Sequence, residues 1–391
     1  MHRRSFLLGT GTLVAQLVAG CGSPQEAVLR VQLLNGSIPT QLVNEFRHSL
    51  PQPVKLNFVP DEQLKDLYTR LQSWQQQTEE ADNGQWRLPL PSWIKLPWIR
   101  SQPESATDLV TLGDYWLAAA IRQGLIQPIE PAKLHQWQNL PSRWQQLVRR
   151  NDKGDLDPQG KVWAAPYNWG TTVIAYNRDK FKSLGWQPRD WSDLWRTEVR
   201  DRVSLLDQPR EVIGLTLKKL GQSYNTEHLE KVRDLEKELI ALNQQVKFYS
   251  SDTYLQPLIL GDTWLAVGWS TDVLPAIQRY QQIAAVIPQS GTALWANLWV
   301  RPQGIGSSRS LSEKWIDFCW QPEVAQRISR FGKATSPIPV TLDPADIQTG
   351  ARSVLLSEPQ IFQRSEFLQP LPAATLNQYQ SLWQAIRQPR Q

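Results

Sequence analysis

The feature that most constrains the fold of this chain is an alternation of short apolar strand patterns with amphipathic helical patterns. Residues 27–34 and 54–59 alternate apolar and polar side chains, which is the pattern of a half-buried strand. Residues 40–50 and 61–75 instead repeat apolar side chains at helical spacing. A sequence of strand, helix, strand and helix is how an α/β domain begins, so we predict an α/β fold.

The same alternation continues along the chain. Strand patterns recur in residues 108–112, 172–176 and 264–269, and helical patterns in residues 115–123, 211–220, 228–242, 271–282 and 311–329. It is interrupted between residues 75 and 106, where prolines in residues 87–98 forbid a regular helix or a central strand. We expect this segment to be an extended excursion on the surface.

The N-terminus is predicted to be an export signal and not part of the fold. Arg3 and Arg4 form a basic stretch, and the apolar run that follows to Gly20 is too short to span a bilayer. Paired arginines ahead of an apolar run resemble the twin-arginine signal of proteins that are exported in the folded state. The general secretion route stays open.

Cys21 directly follows this apolar run, and residues 17–21 resemble the lipobox of bacterial lipoproteins. We therefore predict a signal peptide over residues 1–20, lipidation of Cys21 and a tether over residues 21–26. The protein would be periplasmic and attached to the membrane only through its lipid anchor. A soluble secreted protein is the alternative. The one other cysteine, Cys319, then has no disulfide partner within the chain, and its apolar helical surroundings predict a buried, inert thiol.

Charge and motif content argue against several functional classes. The formal net charge of +5 includes Arg3 and Arg4, so the chain without its signal carries +3. Its basic residues are scattered, and we predict no nucleic-acid partner. The four histidines are not spaced as metal ligands, and no nucleophile elbow or phosphate-binding loop is present. We predict that the chain is not an enzyme and holds no cofactor or metal, although two converging carboxylates would leave a hydrolase open.

Polar and aromatic segments flank the strand patterns and are the candidates for a binding site. We expect them to be loops, and they comprise residues 114–116, 167–172, 207–211, 269–272 and 295–297. Ligands of open α/β sheets bind in crevices at the carboxyl ends of strands. Segments so far apart in the sequence can meet there only if two lobes face each other, so we predict a site between two lobes.

Ordered segments of the sequence resemble the bacterial spermidine/putrescine-binding proteins, which are extracellular solute-binding proteins of ABC importers. The similar segments are residues 166–177, 206–212, 261–269 and 321–325, with residues 335–337. Their order and spacing match the family from about residue 28 to residue 339. No one motif decides the resemblance, which rests on the ordered set.

The resemblance implies the two-lobed fold of the type II periplasmic-binding proteins, with two mixed sheets flanked by helices. One lobe would comprise residues 27–165 and 295–340, and the other residues 166–294 and 341–391. Two crossovers near residues 166–172 and 269–295 would form the hinge. The implied ligand is a polyamine or a related cationic amine, and the implied partner is the permease of an ABC importer. We expect a monomer.

Several residues match the amine-binding positions of that family. Glu211 corresponds to an amine-binding glutamate, and Trp269 and Trp295 correspond to tryptophans that flank the methylene chain of the ligand. Tyr115 corresponds to a cleft tyrosine, and Trp169 is a further aromatic candidate. A desolvated ammonium needs a paired charge, and ring faces attract cations by about 0.5–2 kcal/mol, so this set suits a cationic amine.

The chain also departs from the family pattern. Gln208 and Asn297 stand where the family places carboxylates, so a site for a dication has lost negative charge. Asp114, Asp207 and Asp272 are the acids available to compensate. Two other functions therefore stay open: a receptor for a different small solute, and an exported structural lipoprotein that has lost ligand binding.

Four of the candidate residues also have a structural alternative. Glu211 and Asp272 would each stabilise the first turn of a helix through its dipole. Trp269 and Trp295 would be core residues in a chain that contains 19 tryptophans.

Overall fold

The computed structural model describes residues 27–83, 107–304, 309–331, 334–356 and 359–387. The predicted signal peptide, the lipidation site Cys21 and the proline-rich segment 87–98 lie outside these residues. The α/β fold predicted from the sequence is confirmed, because helices pack around a mixed sheet whose strands come from the whole described chain.

The strands, numbered in chain order, are β1 (Val28–Leu34), β2 (Lys55–Asp61), β3 (Leu109–Gly113), β4 (Ile126–Gln127), β5 (Arg149–Arg150), β6 (Lys161–Val162), β7 (Ala165–Asn177), β8 (Val203–Leu205), β9 (Val246–Tyr249), β10 (Leu265–Trp269), β11 (Ile283–Val286), β12 (Ala293–Pro302) and β13 (Glu366–Phe367).

The helices are α1 (Thr40–Ser49), α2 (Leu64–Asn83), α3 (Asp114–Arg122), α4 (Ser142–Val148), α5 (Arg178–Leu184), α6 (Pro209–Lys219), α7 (Leu235–Asn243), α8 (Leu255–Leu260), α9 (Ser270–Arg279), α10 (Arg309–Cys319), α11 (Pro322–Phe331), α12 (Arg352–Leu355), α13 (Pro359–Arg364) and α14 (Ala373–Arg387). Short 3-10 helices cover Pro131–Lys133, Trp137–Asn139, Trp191–Trp195, Thr197–Val199, Leu229–Lys231, Pro344–Asp346 and Thr349–Ala351.

Two long strands connect the halves of the sheet. The strand order is β2, β1, β3, β12, β7, β10, β8 and β9. The outer strands pair in parallel on each side, whereas β12 runs antiparallel to β3 and β7, and β7 runs antiparallel to β10. The first part of β7, through Thr171, pairs with β12, and from Thr172 onward it pairs with β10 and β11. One strand therefore passes without interruption from one half of the molecule into the other.

The first half of the sheet, with β1, β3 and β12, packs into one hydrophobic cluster, and the second half, with β8 and β10, packs into two. In the first half, Leu109 of β3, Trp299 of β12 and Trp315 of α10 belong to one cluster. In the second half, Val267 of β10 packs into one cluster and its neighbour Ala266 packs into another. Successive residues of a strand project to opposite faces, so helices cover the second half of the sheet on both faces. The lobe boundaries derived from the sequence stay a prediction.

Two helices predicted from the sequence are interrupted in the structure. Residues 228–242 form a short 3-10 helix followed by α7, because Asp234 has a φ of 65°, a left-handed conformation that a continuous helix cannot contain. Residues 311–329 fall in α10 and α11, which are separated after Cys319. The break lies before Pro322, which lacks a backbone N–H and disfavours a helical conformation in the preceding residue.

Other element boundaries also differ from the prediction. Residues 167–172 and 295–297 were expected to be loops, but they lie within β7 and β12. Both segments are paired in the sheet, and this long-range pairing is not visible in local composition. Helix α2 also continues beyond residue 75, to Asn83.

The one cysteine among the described residues is buried, as predicted. Cys319 is 1% exposed, and burial raises the pKa of its thiol, so the reactive thiolate form is disfavoured. Across the described residues, no helix combines the length and the apolar character that crossing a membrane requires.

Candidate functional site

Several candidate residues from the sequence analysis lie close together where β7 and β12 pair, between the two halves of the sheet. The register places Trp295 opposite Gly170 and Asn297 opposite Asn168. Opposed residues of a ladder project to the same face, and so do alternate residues of one strand. Asn168, Gly170 and Thr172 therefore share one face with Trp295 and Asn297. We refer to this surface as the crossover face.

Glu211 lies beside this face, in the first turn of α6. That helix begins at Pro209, which suits a first helical position because the missing N–H would have no partner there. Glu211 is 6% exposed. The Thr172 hydroxyl donates to its carboxylate at 3.0 Å and 3.1 Å from the two oxygens, and Nε1 of Trp269 donates to Oε1 at 3.3 Å. Burial raises the pKa of Glu211, while these hydrogen bonds act in the opposite direction.

No cationic side chain of the described residues forms an ion pair with Glu211. The neighbouring Arg210 directs its guanidinium away, with Nη1 donating to the Gln369 carbonyl at 3.1 Å and Nη2 to Asn225 Oδ1 at 3.0 Å. Arg210 acts on Glu211 only through longer-range electrostatics, and Glu211 has no ion pair among the described residues. A buried carboxylate without a paired cation is unfavourable, so this position favours the approach of a positively charged group.

Trp269 is held in place by a tyrosine. Its backbone N–H donates to the Tyr254 hydroxyl at 3.0 Å, and that hydroxyl donates to Asp272 Oδ2 at 2.9 Å. The indole also stands edge-to-face against the Tyr254 ring, with centroids 6.3 Å apart. Asp272 itself is exposed in the first turn of α9. Asp272 accepts from the Tyr254 hydroxyl and so helps to fix the position of Trp269. This contact favours a structural role for Asp272 over contact with a ligand.

Trp295 packs closely against a glycine. A Cβ added at Gly170 would lie 2.2 Å from Trp295 Cζ2 and 2.4 Å from Ser270 Oγ, so only glycine leaves room for the indole. Trp295 is half-buried, and its Nε1 is buried without a hydrogen-bond partner in the described part of the chain. The ring therefore covers the centre of the crossover face.

Asn297 and Asn168 form a cross-strand pair beyond Trp295. They are 3% and 1% exposed, respectively. Asn168 Nδ2 donates to the Ser37 carbonyl at 3.2 Å. The Oδ1 atoms of both asparagines are buried, and neither accepts a hydrogen bond from the described residues.

Asp114 is the first residue of α3, directly after β3. Because β3 pairs with β12 on the side away from β7, Asp114 contacts β12 from that side. It is 8% exposed, and Oδ1 accepts the Ala296 backbone N–H at 2.9 Å. Burial raises the pKa of Asp114 to about 7, although the Ala296 hydrogen bond and the positive charge of Arg150 lower it. Arg150 is also buried, and its Nε donates to the Leu147 carbonyl at 2.9 Å.

Two other nominated residues are exposed. Tyr115 is 57% exposed and stands edge-to-face against Trp116, with centroids 5.7 Å apart. Gln208 is exposed and makes no side-chain cap of α6, since only its backbone carbonyl accepts from the helix. Neither residue is buried with Glu211 and Trp269.

Trp169 and Asp207 contact the C-terminal part of the chain. Trp169 Nε1 donates to the Ser336 carbonyl at 3.0 Å, and its ring lies 5.1 Å from that of Phe362. Its position in β7 turns it to the face opposite the crossover face. Asp207 pairs with Arg387 at 3.1 Å. The ligand-binding role of every nominated residue stays a prediction.

Sequence reasoning did not single out Asn168, Thr172 or Tyr254. Asn168 and Thr172 carry a weak signal in the sequence, because each lies two residues from Gly170 within a strand pattern. Tyr254 is signalled only by Gly268, where an added Cβ would lie 1.8 Å from the tyrosine ring. A glycine within a strand often marks such a close approach.

A groove of about 750 Å³ lies elsewhere, and its lining includes Arg178, Lys182 and Arg189. Its one acid, Asp179, is exposed, and none of the nominated residues lines it. Among the described residues, no group of three or more histidine, cysteine, aspartate and glutamate side chains is arranged to hold a metal.

Comparison with known proteins identifies the family to which the chain belongs. Residues 105–353 match the family described as bacterial extracellular solute-binding protein. The spermidine/putrescine-binding periplasmic protein of Salmonella typhimurium is 28% identical over 233 residues, which cover 59% of this chain and 63% of that protein. The putrescine-binding periplasmic protein PotF of Escherichia coli is 27% identical over 286 residues, with 65% and 75% covered.

Solved structures show the same fold. The substrate-binding protein PotD of Streptococcus pneumoniae superposes with a TM-score of 0.74 at 17% identity, covering 93% of this chain and 99% of that one. The TpPotD lipoprotein of Treponema pallidum superposes with a TM-score of 0.65 at 20% identity, covering 92% and 99%. The predicted type II periplasmic-binding-protein fold is thereby confirmed.

Proposed function

Because this chain belongs to the bacterial extracellular solute-binding proteins, we propose that it captures a cationic amine of the polyamine class for an ABC importer. The relatives named for spermidine, putrescine or cadaverine binding support this ligand class. The chain spans 63% of the length of the Salmonella relative, so the proposal rests equally on the chemistry of the site.

The observation that carries the proposal is the buried, unpaired carboxylate of Glu211. Its two oxygens are oriented by Thr172 and Trp269, yet no ion pair reaches it in the described part of the chain. An ammonium group would supply the missing charge and further hydrogen bonds. Charge-assisted hydrogen bonds of this kind are roughly twice as strong as neutral ones.

The aromatic residues complete a site for an alkyl amine. The half-buried Trp269 and Trp295 border the same crossover, and each offers an indole face to a cation or a methylene chain. Because β7 and β12 connect the two halves, bending of these strands would open and close the site. Hinge closure around a ligand is a common response of two-lobed binding proteins.

The remaining features follow from the same proposal. The protein would be exported, held at the membrane by lipid on Cys21, and would deliver its ligand as a monomer to the permease of the importer. It would release the amine chemically unchanged, without catalysis. The periplasmic location named for the relatives supports export.

A thermal-shift screen of the purified protein tests the function. We expect putrescine, spermidine or cadaverine to raise the melting temperature, while amino acids, sugars and metal ions leave it unchanged. A ligand at 100 times its dissociation constant stabilises a protein by about 2.7 kcal/mol, a readily measured shift. Stabilisation by another solute class alone would replace the amine assignment. Stabilisation by nothing in the screen would favour a structural lipoprotein.

A further inference from the structure

Among the residues that the structure describes, no hydrogen-bond donor reaches two buried amide oxygens on the crossover face. Asn168 and Asn297 are 1% and 3% exposed, and the Oδ1 atom of each is without a partner in the part of the chain that the structure describes. Leaving a buried acceptor unsatisfied costs about 1–3 kcal/mol. The two acceptors lie on opposed residues of neighbouring strands, which places them side by side as candidate acceptors for one donor group of a ligand.

The asparagine pair and Glu211 lie at opposite ends of this face. Glu211 is bonded to Thr172, which follows Asn168 by four positions on β7. A strand rises about 3.3 Å per residue, so the two ends are separated by about 13 Å along the strand. Trp295 covers Gly170 between them. The face is therefore linear, with a carboxylate at one end, an indole in the middle and two amide oxygens at the other end.

The amide end carries little negative charge. Both asparagines are neutral, and Gln208, at the other position where a carboxylate was expected, is neutral and exposed. Asp114 lies beside β12, but its Oδ1 already accepts the Ala296 N–H and its charge is opposed by Arg150. A second ammonium buried at this end would lack a full counter-charge, which is costly. An uncharged donor would satisfy the two oxygens without that cost.

On the premise of the proposed amine-binding function, we propose that Asn168 and Asn297 form a neutral subsite that selects the ligand class. Polyamines still bind, but the ligand bound most tightly is a monocationic amine whose far end carries an uncharged hydrogen-bond donor, such as a hydroxyl or a primary amide. Its ammonium binds Glu211, its methylene chain passes Trp295, and its far end donates to the asparagine oxygens. A site built to accept a hydrogen bond discriminates strongly against an analogue that lacks the donor.

Calorimetric titration with matched ligands tests this selection. Putrescine, aminobutanol with its two groups at opposite ends, and pentylamine have equal numbers of heavy atoms but differ at one end. Diaminooctane, aminooctanol and nonylamine form a longer set that suits the separation along β7. We expect the amino alcohol of at least one set to bind at least tenfold more tightly than the diamine and the alkylamine of the same set.

The variant Asn297→Asp should reverse the preference. It places a carboxylate at the neutral end, so the diamine should gain at least tenfold relative to the amino alcohol. Asn168→Asp is a second variant with the same expectation. Asn44→Asp is the control, because Asn44 is exposed on α1 and gains the same charge outside the site. Melting curves without ligand establish whether each variant is folded. If both buried variants unfold, the relative affinities of the wild-type protein for the matched ligands decide the question.

The outcomes separate this inference from the proposed function. If diamines bind the wild-type protein as tightly as the amino alcohols, and Asn297→Asp leaves the ratio unchanged, the neutral subsite is wrong and amine binding stands. If no amine of either set and no polyamine binds the folded protein, the proposed function itself fails and the subsite falls with it.

Discussion

Nε1 of Trp269 donates a hydrogen bond to Oε1 of Glu211 at 3.3 Å, and this contact joins an aromatic ring to a buried acid. The two residues come from different elements, the end of β10 and the start of α6. The indole contributes no formal charge, so it orients the carboxylate without neutralising it. In the proposed function, Glu211 would bind the cation while the ring remains beside it.

Replacing Glu211 tests the proposed ammonium anchor. Glu211→Gln removes the charge and preserves the shape, and truncating one partner of a buried charge pair commonly costs about 2–5 kcal/mol. We expect amine affinity to fall at least tenfold in calorimetric titration. Stability without ligand should be equal or slightly higher, because burial disfavours the unpaired carboxylate.

A matched control for Glu211→Gln is Glu236→Gln, in the exposed first turn of α7. This control should leave amine binding unchanged and lower the stability by no more than about 1 kcal/mol, through the helix dipole. If Glu211→Gln behaves in the same way as the control, Glu211 only stabilises the start of α6.

Asp114 should make the stability of the ligand-free protein depend on pH. Its pKa rises from 3.8 to about 7 on folding because the carboxyl is buried. The stability that it contributes is therefore fully present below about 3.8 and is lost as pH rises to about 7. Asp114→Asn should flatten this part of the pH–stability curve measured by chemical denaturation. An identical slope in the two proteins would contradict the buried, raised-pKa state of Asp114.

Gly170→Ala should displace Trp295. The added Cβ would fall 2.2 Å from the indole and 2.4 Å from Ser270 Oγ, and overpacking of this kind costs about 1–3 kcal/mol. We expect lower thermal stability and weaker amine binding. Gly350→Ala is the control, since its Cβ would crowd the Ile283 carbonyl at 2.8 Å without touching a candidate residue, so it should lower stability and leave amine binding unchanged. Equal effects of the two variants would mean that the position of Trp295 is unimportant.

Tyr254→Phe should weaken the support of Trp269. The variant removes the hydroxyl that accepts the Trp269 N–H and donates to Asp272, leaving a buried donor unsatisfied at a cost of about 1–3 kcal/mol. We expect a lower melting temperature and a smaller loss of amine affinity than in Glu211→Gln. Asp272→Asn should have little effect on binding, because Asp272 acts through Tyr254. A large loss of affinity in Asp272→Asn would instead place that acid in contact with the ligand.

Cys21→Ser tests the lipid anchor. Without the thiol, no acyl group can be attached at this position, so the protein should leave the membrane fraction or remain unprocessed. Detergent partitioning of cell fractions measures this, and the fold of the exported domain should be unaffected. Membrane association at the wild-type level would contradict the predicted lipobox.

Local patterns in the sequence determined the fold class and most of the elements. Strands such as β1 and helices such as α1 follow from alternating or helical spacing of apolar side chains, which depends only on near neighbours. The same reasoning placed Glu211 in the first turn of a helix. It did not place the break at Asp234, because a single left-handed residue leaves the apolar pattern intact.

Only the tertiary structure decided which of these residues meet. The pairing of β7 with β12 sets Asn297 opposite Asn168 and Trp295 against Gly170, and pairing between distant strands leaves no periodic signal in either segment. The same is true of Glu211, whose burial depends on Thr172 and Trp269 from two other elements. The chemistry of the site therefore comes from residue types that the sequence supplies, while their charge state and unmet hydrogen bonds come from packing that removes water around them.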